Sequence, residues 1–191
     1  MLTILGFDAD DTLWHDAREF LETEERLHTL VRDHVDLECF APALNEANER
    51  NLRHYGYGIK SYLLSAIEVL ADCGVAPPPA LIANMIALGK RALDRETELL
   101  DGVGDVLDRL RGKVALVLVT KGDLVHQEQK LGRSGLAEQF DRVEIVSDKT
   151  TATYRRIFGA PTGAEPHAAM IGNSVRSDIM PAMAAGAWGL H

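Results

Sequence analysis

Apolar and polar positions along this chain fall into two regimes, short unbroken runs and longer stretches with helical spacing. Leu2-Thr3-Ile4-Leu5-Gly6-Phe7 and Val114-Ala115-Leu116-Val117-Leu118-Val119 are runs without polar alternation, which predicts strands buried on both faces. From about Asp16 to Asp33, Phe20, Leu21, Leu27, Leu30 and Val31 recur near helical spacing amid Glu and Arg, predicting a first helix. A second is predicted from Ala41 to about His54, a third from Ile59 to Ala71 after the Tyr55-Gly56-Tyr57-Gly58 break, and a fourth from about Ala80 to Leu93. Cys73-Gly74-Val75 ends the third, and Pro77-Pro78-Pro79 forbids helix before the fourth. Beyond Gly102 the periods alternate. Helices are expected at Val103–Leu110, Leu124–Ser134, Thr151–Phe158 and Ile179–Ala185, and strands at Arg142–Val146 and Ala168–Ile171.

Strands alternating with helices imply an α/β fold, a parallel sheet flanked by helices with right-handed crossovers and ligands at the strands' carboxyl ends. The helical block from about Asp16 to Leu100 is too long for one crossover and is expected to be a separate subdomain inserted after the first strand. It would overhang the crevice at the strand ends, hinged near Trp14-His15 and Leu100-Gly102, where a lid belongs. Residues 1–15 and 101–191 would then form a Rossmann-like core, and residues 16–100 a helical cap.

Composition narrows the classes. The chain has 191 residues, 46% hydrophobic and 26% charged, as ordinary globular proteins do. A net charge of −9 argues against a general nucleic-acid binder, which needs clustered positive charge. Cys39 and Cys73 lack metal-type spacing and read as reduced thiols. No apolar run approaches the length of a membrane span, and a cytoplasmic location is expected, with the oligomeric state left open.

The candidate chemistry lies where runs end. Asp8-Ala9-Asp10-Asp11-Thr12 follows the first strand, and strand alternation lets Asp8 and Asp10 face one crevice. Two buried like charges need a cation or a shared proton. A helix cap needs a single acceptor, so Asp11 or Thr12 alone suffices for that purpose. Thr120-Lys121-Gly122-Asp123 ends the second run with a hydroxyl, an ammonium and a glycine, suited to an anionic oxygen; a helix cap and a solvated charge are the plain alternatives. The third strand leads into Ser147-Asp148-Lys149-Thr150, and the fourth into Gly172-Asn173-Ser174-Val175-Arg176-Ser177-Asp178.

These four segments, in this order, resemble the four motifs of the haloacid dehalogenase-like (HAD) hydrolase superfamily, phosphatase type, with a helical cap between the first and second motifs. The resemblance implies Asp8 as nucleophile, Asp10 as general acid and base, Thr120, Lys121 and Lys149 around the phosphate, and Asp8, Asp10, Asn173 and Asp178 around Mg²⁺. Lys130 is a rival for the lysine role, but its place inside a predicted helix implies a solvated face. The superfamily's dehalogenases lack the acid two positions after the nucleophile and need no metal, so Asp10 favours phosphoryl transfer. Where Asn173 stands many members carry Asp; its amide either reaches the metal or only shapes the turn.

The implied activity is a Mg²⁺-dependent phosphatase acting on a small phosphorylated metabolite, with a phosphomutase as the alternative on the same scaffold. A receiver-like phosphoryl-accepting signalling or binding module is the alternative from another class. There, however, the phosphorylated Asp follows an internal strand and no long helical insert intervenes. Trp14, His15 and Lys60 are candidates for substrate contact, against packing for Trp14, capping for His15 and solvation for Lys60.

Overall fold

A computed structural model describes residues 1–159 and 166–191. The chain divides into two compact units, Met1–Asp16 with Glu96–His191, and Ala17–Arg95.

The first unit is an α/β Rossmann-like fold. Its five strands, β1 (Ile4–Phe7), β2 (Ala115–Lys121), β3 (Arg142–Val146), β4 (Ala168–Ile171) and β5 (Trp188–Leu190), pair in parallel in the order β3-β2-β1-β4-β5. β1 is the central strand: Phe7 pairs with Leu118 on one side and Ile171 on the other. The unbroken apolar run in β2 follows from this placement, because alternate side chains serve two separate cores. Leu116 and Leu118 pack with Leu5, Phe7, Leu107 of α5 (Val103–Leu110) and Leu131 of α6 (Leu124–Ser134). Val117 and Val119 pack on the opposite face with Met170 and with Tyr154, Ile157 and Phe158 of α7 (Thr151–Phe158). Gly6 keeps that second face open, since a Cβ there would come within 2.7 Å of the Phe158 ring.

The second unit is all helical: α1 (Ala17–Val31), α2 (Leu37–Tyr55), α3 (Ile59–Asp72) and α4 (Pro79–Leu93). Its core holds Leu27, Val31, Phe40, Leu44, Tyr62, Leu70, Met85 and Leu88. α2 begins a full turn before the expected Ala41, because Asp36 caps it by accepting from the Glu38 N–H at 2.9 Å. Pro42 then falls early inside the helix, where it removes one backbone bond. Gly56 and Gly58, at φ 71° and 116°, make the break before α3.

After β4 the helical path differs from expectation. A π-helical turn spans Val175–Ile179, with the Ser174 side chain accepting from the Ser177 N–H, and α8 (Met180–Ala184) continues it. No helix of the described residues is long and apolar enough to cross a membrane. Cys39 and Cys73 are free and exposed.

Candidate active site

The sheet brings three of the singled-out segments to one place. The pairing of β1 with β4 runs one residue past the strand, through the Asp8 N–H to the Ile171 carbonyl at 2.8 Å, which fixes the Asp8 backbone at the sheet edge. One Asp8 carboxylate oxygen accepts from Lys149 Nζ, and the other accepts from Thr12 Oγ1 at 3.2 Å. Lys149 Nζ also donates to Asp178 Oδ1 at 2.6 Å, and Asp178 Oδ2 accepts from the Ser174 N–H at 2.9 Å. All three charged side chains are buried. Lys149 is held from behind by its own N–H, which donates to Asp148 Oδ1 at 2.8 Å.

Two buried carboxylates therefore share one ammonium. Burial, reinforced by the Asp178 charge and only partly offset by Lys149, pushes the Asp8 carboxyl up to about 6. Lys121 Nζ donates to Ser177 Oγ at 3.2 Å beside this group, and Thr120, buried, sits one residue before it in β2.

Thr12 does more than the capping role open to it in the sequence. Its hydroxyl donates to Asp8 and accepts from the Asn173 N–H at 3.1 Å, so it ties the β1 loop to the β4 loop. The Asn173 residue itself is exposed, and its carbonyl accepts from the His191 ring at 3.0 Å. Tyr154 carries no sequence signal for function. Fully buried on α7, its hydroxyl donates to the Ser177 carbonyl at 3.2 Å, and burial with the nearby Asp178 and Asp8 charges pushes the phenol up.

Asp10 lies in a separate network. The β1 loop turns sharply at Asp11, whose φ of 58° is left-handed, and the Asp11 N–H donates to the Trp14 carbonyl. This turn carries the buried Trp14 back beside Asp10. Asp10 Oδ1 accepts from Trp14 Nε1 at 2.7 Å and from Lys130 Nζ at 2.8 Å, and Oδ2 accepts from Gln127 Nε2 at 2.8 Å. Lys130 Nζ also donates to Asp16 Oδ1. Burial favours the neutral Asp10 acid, but Lys130, Gln127 and Trp14 together outweigh it and hold the carboxyl below its ordinary range. The expected solvated face for Lys130 is thus corrected: its side chain is 9% exposed, facing inward from α6. His15 joins the loop to residues beyond the helical unit, through its N–H to the Glu98 carbonyl at 3.0 Å. Lys60 is exposed in the first turn of α3, in the other unit.

Mg²⁺ is normally held by one or two carboxylates with waters completing the octahedron. Asp8 and Asp178 offer hard oxygen donors of this kind, and their excess of negative over positive charge fits a cation. Among the described residues no three His, Cys, Asp or Glu side chains form a ready cage.

Gly172 decides where Asp178 stands. A Cβ at that position would lie 2.5 Å from Asp178 Cγ, so Gly172→Ala must displace the carboxylate from Lys149. The expected cost is about 1–3 kcal/mol of stability from overpacking, with activity falling alongside. A chemical melt and a turnover assay on the variant check both, and parental values for the pair would show that the turn relaxes freely.

The geometry has a family. The haloacid dehalogenase-like hydrolase model matches residues 2–186. This chain is a haloacid dehalogenase-like hydrolase. A haloacid dehalogenase-like family hydrolase from Xanthomonas campestris is 35% identical, with 98% of this chain and 80% of that chain covered and a TM-score of 0.89. The HAD-hydrolase YfnB from Bacillus subtilis, a structure bound to magnesium, is 18% identical over 98% of this chain and 85% of that one, with a TM-score of 0.64. A 2-haloacid dehalogenase from Pseudomonas syringae is 20% identical, with 99% and 85% covered and a TM-score of 0.68. A comparison with curated proteins gives no match. Solved structures that share this fold include both the 2-haloacid dehalogenase and a predicted phosphoglycolate phosphatase from Haemophilus somnus, 17% identical with 98% and 84% covered and a TM-score of 0.61.

Proposed function

We propose that this HAD-like hydrolase is a Mg²⁺-dependent phosphatase that cleaves a small phosphorylated metabolite through an aspartyl-phosphate. The observation that carries the reading is Asp10, a second acid two residues past Asp8 and held by three donors. Displacement of a halide needs no proton for the leaving group, whereas release of an alkoxide does. Asp8, with one oxygen on Lys149 and the other on Thr12, presents an oriented carboxylate to phosphorus. Its attack forms the Asp8–phosphorus bond as the phosphorus–oxygen bond of the ester breaks. Asp10, ionised in the free site, relays the proton that a phosphate ester monoanion brings to the departing oxygen, and then takes one from the water that hydrolyses the aspartyl-phosphate. Lys149, with Thr120 and Lys121 at the end of β2, balances the charge of the phosphoryl oxygens. Mg²⁺, held by Asp8 and Asp178, would supply electrostatic stabilisation of the transferring group. In this reading the helical unit serves as the family's cap.

Release of p-nitrophenol from its phosphate ester, with Mg²⁺ and with a chelator, tests the assignment against halide release from 2-chloropropionate. Mg²⁺-dependent turnover of the phosphate is expected. Halide release without metal, and no phosphate cleavage, would make the chain a dehalogenase. Transfer of phosphate back to an added sugar phosphate would make it a mutase.

A further inference from the structure

The molecule buries a second lysine that the phosphatase reading does not use. Burying an ammonium is costly unless it is paired and hydrogen-bonded. Lys130 satisfies that condition with two carboxylates, Asp10 and Asp16. The helix that carries it inverts the usual pattern: Leu124 and Val125 of α6 are exposed, while Gln127 and Lys130, three residues apart on one face, are buried. Both of these inward polar side chains donate to Asp10, one to each carboxylate oxygen. The Gln127 amide is oriented by two acceptors, Asp10 Oδ2 and the Lys121 carbonyl at 3.2 Å, at the expense of leaving its own Oε1 buried with no partner. A helix face that sacrifices apolar burial and an amide oxygen to reach one carboxylate is built around that carboxylate.

We propose that Lys130 is a positioning residue for Asp10: anchored by Asp16, its ammonium fixes the Asp10 carboxylate in the orientation from which it serves the leaving group. The proposal rests on the phosphatase reading for the role of Asp10, but the holding itself does not. Lys149 and Lys130 then divide the work, one fixing Asp8 with Asp178 and the other fixing Asp10 with Asp16.

Trp14 gives a reporter for the holding. Its indole N–H donates to the same Asp10 oxygen as Lys130 does, and it is fully buried, whereas Trp188, the other tryptophan, is 54% exposed. The ¹H–¹⁵N spectrum should show two indole resonances, assigned by Trp188→Phe, with that of Trp14 downfield and slow to exchange with water. In Lys130→Met the Trp14 resonance is expected to move upfield and to exchange faster, because Asp10 reorients. Lys130→Arg should restore most of the position. If Asp10 needs no help, removal of the competing ammonium makes its oxygen a better acceptor, and the resonance stays or moves further downfield; either result overturns the proposal. Should Lys130→Met not fold, Lys130→Gln carries the same readout.

Kinetics supply the second test. With Mg²⁺, kcat/KM, which covers only the steps up to formation of the aspartyl-phosphate, should fall at least about 10-fold for an alkyl phosphate in Lys130→Met, against less than about 3-fold for p-nitrophenyl phosphate, whose leaving group needs little protonation. Equal losses for both esters would reduce Lys130 to a packing role and overturn the positioning claim. A parent protein that cleaves neither ester would instead overturn the phosphatase reading, with the indole shift still deciding whether Lys130 holds Asp10.

Discussion

Asp8→Asn is expected to abolish turnover, by about 10⁴-fold or more, and at the same time to stabilise the fold. The amide is nearly isosteric but a poor nucleophile. The stability gain follows from the sign of the Asp8 shift. Its folded pKa, about 6, lies above the ordinary 3.8, so the folded protein binds a proton at Asp8 more tightly than the unfolded chain does. Above pH 6 the buried carboxylate is ionised and opposes folding; as pH falls through 6 that opposition fades. Two pKa units correspond to about 3 kcal/mol, an upper bound for the difference at pH 8. Melts of both proteins in chelator should therefore diverge at pH 8, with the variant more stable, and converge near pH 4. A variant less stable than its parent at pH 8 would mean that the Lys149 bond outweighs the burial of charge.

The opposite result is expected at Lys149. Lys149→Met removes the ammonium shared by Asp8 and Asp178 and leaves two buried carboxylates facing each other. Breaking a buried pair in this way costs about 3–5 kcal/mol. The loss should be greatest at alkaline pH in chelator and should shrink on acidification, as one carboxylate takes up a proton. Mg²⁺ should also recover part of it, since a cation held by Asp8 and Asp178 replaces the missing charge. Denaturant titrations at pH 8 with and without Mg²⁺ check this; a melt indifferent to both pH and Mg²⁺ would show that water already solvates the pair.

The sheet unit was largely legible because its signals are local. β3, β4 and helices α5, α6 and α7 begin and end where hydrophobic periodicity and turn residues put them. β1 and β2 read as unbroken apolar runs because both faces are covered, and that too is a property of composition. Misreadings arose where a local rule met a competing one. The second helix was expected from Ala41, yet the cap at Asp36 sets its start earlier. Gly172 to Asp178 read as a turn before a helix, whereas its second half is already helical, wound one residue wider so that Asp178 stays under Gly172.

The site was legible as to residues but not as to partnerships. Asp8, Lys149 and Asp178 lie far apart in sequence, and each needs only its strand end to arrive at the same edge. Asp10 is two residues from Asp8, and alternation alone places both in one crevice; the left-handed turn at Asp11 instead brings Trp14 around to Asp10, and α6 supplies Lys130 and Gln127. Lys130 was misjudged because a lysine within a helix is usually solvated. Helical spacing is the signal that could have corrected it: Gln127 lies three residues before Lys130 and four before Leu131, which packs in the apolar core, so all three share the inward face.

The central position of β1 also governs the order in which the chain becomes protein during synthesis. Ile4 pairs with Ala115 and with Ala168, so the first strand made must wait for more than a hundred residues before either neighbour exists. The helical unit has its own apolar core drawn from contiguous sequence, and local contacts of that kind form fast. On the ribosome it can therefore fold while Leu5 and Phe7 still lack partners, and β1 stays an unpaired apolar strand at least until β2 has been made. That interval, rather than the finished structure, is when the chain is most open to aggregation and to chaperone capture.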